Sequence, residues 1–105
     1  MLLRTLTFLV PKKKERQMRA FMRREALPLV GRIPTCRAAY FVRNQARKNE
    51  YMWVTLWPSG AALARAMRRK DWQDVTAREV RAGFFARRPR HVHYDVVLTL
   101  ASRSR

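Results

Sequence analysis

Alternation of apolar and polar side chains predicts four β-strands in this chain. Polar residues 44–49 form a short connection, as expected of a hairpin between the second and third strands. The predicted strands are residues 2–10, 36–43, 51–57 and 91–100.

Helical periodicity fills the two longer intervals between these strands. Residues 12–27 place Met18 and Met22 on one side, which predicts an amphipathic helix. Ser59 is a suitable N-cap for a second helix, because its hydroxyl accepts a free backbone N–H of the first turn. Chain breakers predict a loop after the first helix at Pro28, Gly31 and Pro34. A broken continuation of the second helix carries apolar residues at Trp72, Val75, Val80 and Phe84.

The order strand, helix, strand, strand, helix, strand predicts an α+β fold of the ferredoxin-like βαββαβ type. Such a fold has one antiparallel sheet with both helices on the same face. A chain of 105 residues is expected to form one domain. We assign that domain to residues 1–100 and expect a loose C-terminal tail at 101–105.

Both faces of the predicted sheet are apolar, although the helices cover only one. Leaving a large apolar side chain exposed costs about 1.5–3 kcal/mol, so a second copy of the sheet is the simplest cover and a homodimer is predicted. On the third strand, Tyr51, Trp53 and Trp57 lie on one face, and Met52, Val54 and Leu56 lie on the other. The last strand is likewise apolar on both faces at Val96, Val97 and Leu98.

The segment Glu50-Tyr51-Met52-Trp53-Val54-Thr55-Leu56-Trp57-Pro58-Ser59 resembles the antibiotic biosynthesis monooxygenase family of dimeric α/β barrels. That family has an aromatic strand ending in Trp, followed by a Ser that opens a helix. The segment Ile33-Pro34-Thr35-Cys36 is similar to the family's entry into the second strand, with Thr35 where Gly is usual. The resemblance covers residues 1 to about 100.

The resemblance implies a pocket between the sheet and the helices. Some members of the family oxidise polycyclic aromatic compounds with O₂ and no cofactor, whereas others degrade haem. Thr5 stands where the haem-degrading members have asparagine, and Ala66 and Thr76 stand near the positions of their tryptophan and histidine. These mismatches argue against haem degradation, so we expect no cofactor and a small aromatic or quinol-like substrate.

Cofactor-free oxygenation needs a base, a cation that holds an anion, and an apolar pocket. His93 is the candidate catalytic base, because its unperturbed pKa lies nearest neutrality. Arg4 and Arg43 are the candidate anion-holding residues. Trp53 and Trp57 also suit a plain core role. The predicted substrate pocket comprises Thr5, Tyr40, Trp53, Trp57, Met67 and Trp72.

Other candidate chemistry is sparse. His91, His93 and Asp95 alternate, so they share one strand face as a metal site, a His–Asp dyad or solvated rim residues. With no third ligand suggested elsewhere, we assign no metal. Cys36 is the only cysteine, which excludes an internal disulfide, and its apolar neighbours favour inert packing.

The net charge of +17 suits a nucleic acid or another polyanion, and this is the alternative function on the same fold. RNA-recognition domains of this topology stack bases on exposed strand aromatics, although their third-strand glycines are missing here. A coding bias that favours arginine and alanine explains the charge equally well. A third hypothesis is a dimeric module whose pocket has no activity. No apolar run suits a membrane span, and we expect a cytoplasmic protein.

Overall fold

Four antiparallel strands form one sheet in the order β2-β3-β1-β4. The structure is a computed structural model, and it describes residues 1–100; the predicted tail lies outside the described residues. The strands are β1 (Leu2–Leu9), β2 (Ala38–Arg43), β3 (Glu50–Trp57) and β4 (Arg90–Asp95). The predicted ferredoxin-like α+β fold is therefore confirmed.

Helical segments occupy the two predicted intervals. The Ser59 Oγ accepts a hydrogen bond from the Ala62 backbone N–H at 3.1 Å, which confirms the predicted N-cap. No helix within residues 1–100 is long and apolar enough to cross a membrane. The segments are a 3₁₀ turn (Lys12–Lys14), α1 (Glu15–Phe21), a π turn (Met22–Ala26), α2 (Leu27–Gly31), α3 (Gly60–Met67) and α4 (Lys70–Arg81).

The first helical segment continues past Pro28, where a loop was predicted. Proline has no N–H, and its ring clashes with the carbonyl four residues earlier, so a regular α-turn is disfavoured there. The chain passes through the π turn Met22–Ala26 just before it, and Pro28 then sits in the first turn of α2, which tolerates proline. The loop prediction for Pro28 and Gly31 is wrong, and the extra turn buries Leu29 and Val30.

The last strand is shorter than predicted. β4 pairs only with β1, and the final pair is Asp95 with Leu2. One further bond joins the Val96 N–H to the Met1 carbonyl at 2.9 Å, after which β1 offers no partner. The apolar side chains beyond this point are exposed: Val97, Leu98 and Leu100.

The two faces of the sheet have different surroundings. On β3, Trp53 and Trp57 face the helices and are buried, whereas Val54 and Leu56 between them are half-exposed on the open face. The strand register places Thr55 of β3 opposite Arg4 of β1, so these two share the helix-covered face. The helices cover one face only, as predicted.

Candidate functional site

A cavity of about 300 Å³ lies between the helix-covered face of the sheet and the helices. Its volume is at the lower end of the range for small-molecule pockets. Apolar and aromatic side chains form most of the cavity wall. Three of the lining residues, Met67, Thr76 and Val80, are exposed to solvent and lie at the rim of the cavity. The remaining lining residues are Arg4, Leu6, Ala26, Leu29, Val30, Trp53, Thr55, Trp72, Val75, Glu79, Phe85, Pro89 and His91.

Arg4 is the cation of this cavity. Its side chain enters from the central strand β1 and is only 6% exposed. The guanidinium carbon lies 5.6 Å from the centre of the Trp72 ring, which is cation–π geometry. The Arg4 Nε is buried and has no hydrogen-bond partner among the described residues. An unpaired N–H of this kind carries a desolvation cost that an anionic ligand in the cavity would remove.

Glu79 is the carboxyl group of the cavity. It lies on α4 and is 7% exposed. Burial raises the pKa of the Glu79 carboxyl to about 7, and the Arg4 charge opposes this rise only in part. Within residues 1–100 neither residue takes part in an ion pair of 4.0 Å or less. Each group is therefore free to meet a ligand.

His91 contributes an imidazole to the cavity lining. It lies on β4 and faces the cavity from the rim. Partial burial of the ring lowers the pKa of His91, and the positive charge of Arg4 lowers it further. The ring is therefore neutral at pH 7, with one nitrogen that donates and one that accepts.

The structure brings four of the predicted site residues together. Arg4, Trp53, Met67 and Trp72 all line the cavity. Trp57 is fully buried behind them, and its ring centre is 6.1 Å from that of Trp72. The Trp57 Nε1–H donates to the Thr55 Oγ1 at 2.9 Å, so Trp57 supports the wall without forming part of it.

The other predicted site residues lie outside the cavity lining. Thr5 and Tyr40 project from the open face, where Tyr40 is 62% exposed. Arg43 pairs with Glu15, its Nη1 lying 3.7 Å from a carboxylate oxygen, at the far end of the sheet. His93 is exposed on β4, directly beside Arg4 in the strand register. The roles assigned to these residues stay predictions.

Glu79 was not among the predicted site residues, although its position carries a signal. Trp72, Val75 and Glu79 recur at i, i+3 and i+7, which places a carboxyl on the apolar stripe of α4. Val80, predicted as an apolar position of this helix, is 62% exposed instead. A charged residue at a core position of an amphipathic helix is the sequence signal that indicates a buried carboxyl group such as Glu79.

No group of three potential metal ligands occurs in the part of the chain that the structure describes. His91 and His93 do share the helix-side face of β4, as their alternation predicts. Tyr51, Trp53 and Trp57 are 3%, 7% and 0% exposed, so they cannot stack RNA bases in the folded domain. What remains of the nucleic-acid hypothesis is the basic surface.

The combination of Glu79 and Arg4 has a definite chemical capacity. A carboxyl whose pKa is about 7 is divided between acid and base at neutral pH, which is the condition for efficient proton transfer. A buried guanidinium nearby stabilises the anion that remains after a proton is removed. The cavity can therefore convert a bound weak acid into its anion away from water.

Comparison with solved structures defines the class of protein as a ferredoxin-like α+β domain shared with antibiotic biosynthesis monooxygenases. The chain is similar to an antibiotic biosynthesis monooxygenase at 17% identity, with 93% of this chain and 100% of that chain covered and a TM-score of 0.76. The resemblance predicted from residues 50–59 is thus confirmed at the level of the fold.

Two further solved structures have similar sequence identities and TM-scores to this chain. The Rv0793 protein from Mycobacterium tuberculosis is 15% identical over 96% of this chain and 98% of that chain, with a TM-score of 0.79. SnoaB from Streptomyces nogalater, a cofactor-independent oxygenase solved in a mutant form, is 19% identical over 96% and 97%, with a TM-score of 0.77. No protein-family model and no curated protein sequence matches the chain.

Proposed function

We propose that this protein belongs to the antibiotic biosynthesis monooxygenases and oxidises a small aromatic or quinol-like compound with O₂, without a cofactor. The observation that carries the proposal is the apolar cavity in which Glu79 and Arg4 meet. The cofactor-independent oxygenase activity named for SnoaB supports the same reaction class. The cavity volume suits a ligand of about two or three fused rings.

The reaction balances with O₂ as the only oxidant. The Glu79 carboxylate takes a proton from an acidic CH₂ group, and Arg4 holds the resulting enolate. The enolate passes one electron to O₂, the two radicals join in a C–O bond, and the peroxide takes the proton back from Glu79. Glu79 then removes the second C–H proton as the O–O bond breaks, and the departing hydroxide takes that proton to become water. One substrate and one O₂ give one ketone and one water.

Oxygen uptake with anthrone, a tricyclic ketone with an acidic CH₂ group, tests the proposal. We expect uptake above the protein-free rate, with anthraquinone as product. Filling the cavity by Ala26→Leu should lower the rate at least about tenfold, because Ala26 is buried in the cavity wall. Ala61→Leu, at an exposed position of α3, is the matched control. Uptake equal to the protein-free rate, or equal in both variants, would contradict the proposal.

We also propose that the open face of the sheet pairs with a second copy of the chain. The face carries Val54 and Leu56 at its centre and the exposed rings of Tyr40 and Tyr94 on the two edge strands. Contiguous apolar surface of this kind marks an interface in a folded domain. The exposed segment 97–100 adds the apolar side chains of Val97, Leu98 and Leu100 after β4.

Sedimentation of the protein at micromolar concentration should give a dimer. Val54→Asp places an unpaired charge at the centre of the open face, and we expect it to weaken the dimer at least about a hundredfold. Gln45→Asp adds the same charge in the exposed hairpin connection and should leave the dimer intact. A wild-type protein that sediments as a monomer at this concentration would contradict the proposed dimer.

A further inference from the structure

Thr55 lies on the cavity wall between two tryptophans of β3. Its side chain is only 2% exposed, and it lines the cavity. The Thr55 Oγ1 accepts the Trp57 Nε1–H at 2.9 Å. Because an indole N–H only donates, this bond occupies a lone pair of the hydroxyl and turns its proton away from Trp57. The hydroxyl donates no hydrogen bond of its own to any group within residues 1–100.

Arg4 stands directly across the sheet from Thr55. The two are Cα partners in the β1–β3 ladder, and side chains opposite each other on one face have Cβ atoms about 4.5–5.5 Å apart. The Arg4 Nε–H is buried and unpartnered. Two hydrogen-bond donors, one charged and one neutral, therefore border the same part of an apolar cavity and lack an acceptor there.

We propose that Arg4 and Thr55 form an oxyanion-binding subsite for the ionised oxygen of a phenol or enol, with Trp57 holding the Thr55 hydroxyl in its donating orientation. This inference rests on the proposed function and names the ligand chemistry of the same cavity. Thr55 touches the ligand in this arrangement, whereas Trp57 is a positioning residue that acts through Thr55.

The donor set favours one oxygen atom of single negative charge. A carboxylate presents two oxygens and suits a guanidinium that offers both terminal nitrogens in a fork. Here Thr55 offers a single hydroxyl from the position across the β1–β3 ladder from Arg4, and the Arg4 guanidinium carbon lies 5.6 Å from the centre of the Trp72 ring. The charged or titratable groups on this face next to Arg4 are Glu79 from α4 and His91 and His93 from β4. Glu79 accepts the proton that the phenol or enol releases, so the bound pair gains no net charge.

Binding of 4-nitrophenol tests the subsite, because this phenol ionises near neutrality and its anion has a separate visible absorption. We expect the bound phenol to ionise at lower pH than the free phenol. Thr55→Val should lower its acid dissociation constant about tenfold, the effect of one hydrogen bond to a charged group. Thr55→Ser should restore the wild-type value. Trp57→Phe should lower the constant less, since the hydroxyl remains but is free to rotate.

Raised ionic strength screens binding to the surface arginines, and thermal unfolding shows whether each variant is folded. A neutral bound phenol, no binding, or equal ionisation in Thr55→Val and wild type would overturn the subsite. Nitrophenol ionisation without oxygen uptake from anthrone would instead contradict the oxygenase proposal and leave the subsite standing. Oxygen uptake from anthrone, together with equal nitrophenol ionisation in all variants, would contradict the subsite and leave the oxygenase proposal standing.

Discussion

Glu79→Gln is expected to lower the rate of oxygen uptake by about 10²-fold to 10⁴-fold, the usual contribution of a general base. Glutamine has the shape of a protonated glutamate, so the cavity keeps its volume and its apolar wall. It cannot take up a proton, so the substrate stays neutral beside Arg4 and does not react with O₂. The oxygen electrode that records anthrone oxidation measures this loss directly.

Asp74→Asn is the matched control, because it removes a carboxylate from the same helix at an exposed position outside the cavity. Its rate should equal that of the wild type. The wild-type rate should also rise with pH through about 7, as Glu79 loses its proton. A Glu79→Gln protein with wild-type activity would remove Glu79 as the base and leave His91 or His93 as candidates.

The same substitution has an effect on stability that depends on pH. The folded protein holds the Glu79 proton up to a pKa of about 7, whereas the unfolded chain loses it near 4.5. The free energy of unfolding should therefore fall by about 3 kcal/mol as pH rises through this window. Glu79→Gln should abolish this part of the decline in urea titrations.

Trp57→Ala is expected to destabilise the domain by about 3–5 kcal/mol, the range for truncating a large buried aromatic side chain. Trp57 is fully buried and packs in one cluster with Ile33, Leu63 and Ala66. Its loss leaves a cavity and also removes the hydrogen bond to Thr55. The free energy of unfolding of a small domain is only about 5–15 kcal/mol, so the expected loss is a large fraction of the stability of this domain.

Trp72→Ala is the comparison for Trp57→Ala, since Trp72 is only half-buried and lines the cavity. We expect it to lower the urea midpoint less and to weaken ligand binding more. The two tryptophans were predicted from sequence as members of one pocket, and this pair of variants separates packing from ligand contact. Equal midpoints for Trp57→Ala and the wild type would show that the strand end is not a core position.

The fold was predictable because each element has its own periodicity. Alternation marked the strands, and Ser59 marked the start of α3. The errors arose where tertiary partners decide the outcome. Residues 96–100 are as apolar as a strand but have no neighbouring strand, because β1 begins at Leu2. Pro28 favours a loop by itself, yet the π turn before it lets the helix continue.

The residues that line the cavity were only partly predictable from sequence. The alternation of side chains between the two faces of a strand explains which of them were placed correctly. Arg4 and Thr5 are neighbours on one strand, so they project from opposite faces and cannot line the same cavity. For Tyr40, the face depends on pairing with Val54 across the hairpin, a register that the sequence of the connection does not specify. The raised pKa of Glu79 depends on burial in a cavity whose wall includes residues from other segments of the chain, which no local pattern reveals.

The most direct test of the central claim is the titration of the Glu79 carboxyl group by carbon-13 NMR, with Glu79→Gln to assign its signal. We expect a pKa of about 7 for Glu79, because burial disfavours the charged carboxylate and Arg4 compensates only in part. A Glu79 pKa in the ordinary range of exposed carboxyl groups would contradict the proposed role of Glu79 as the base. In that case the cavity would hold no base near neutrality.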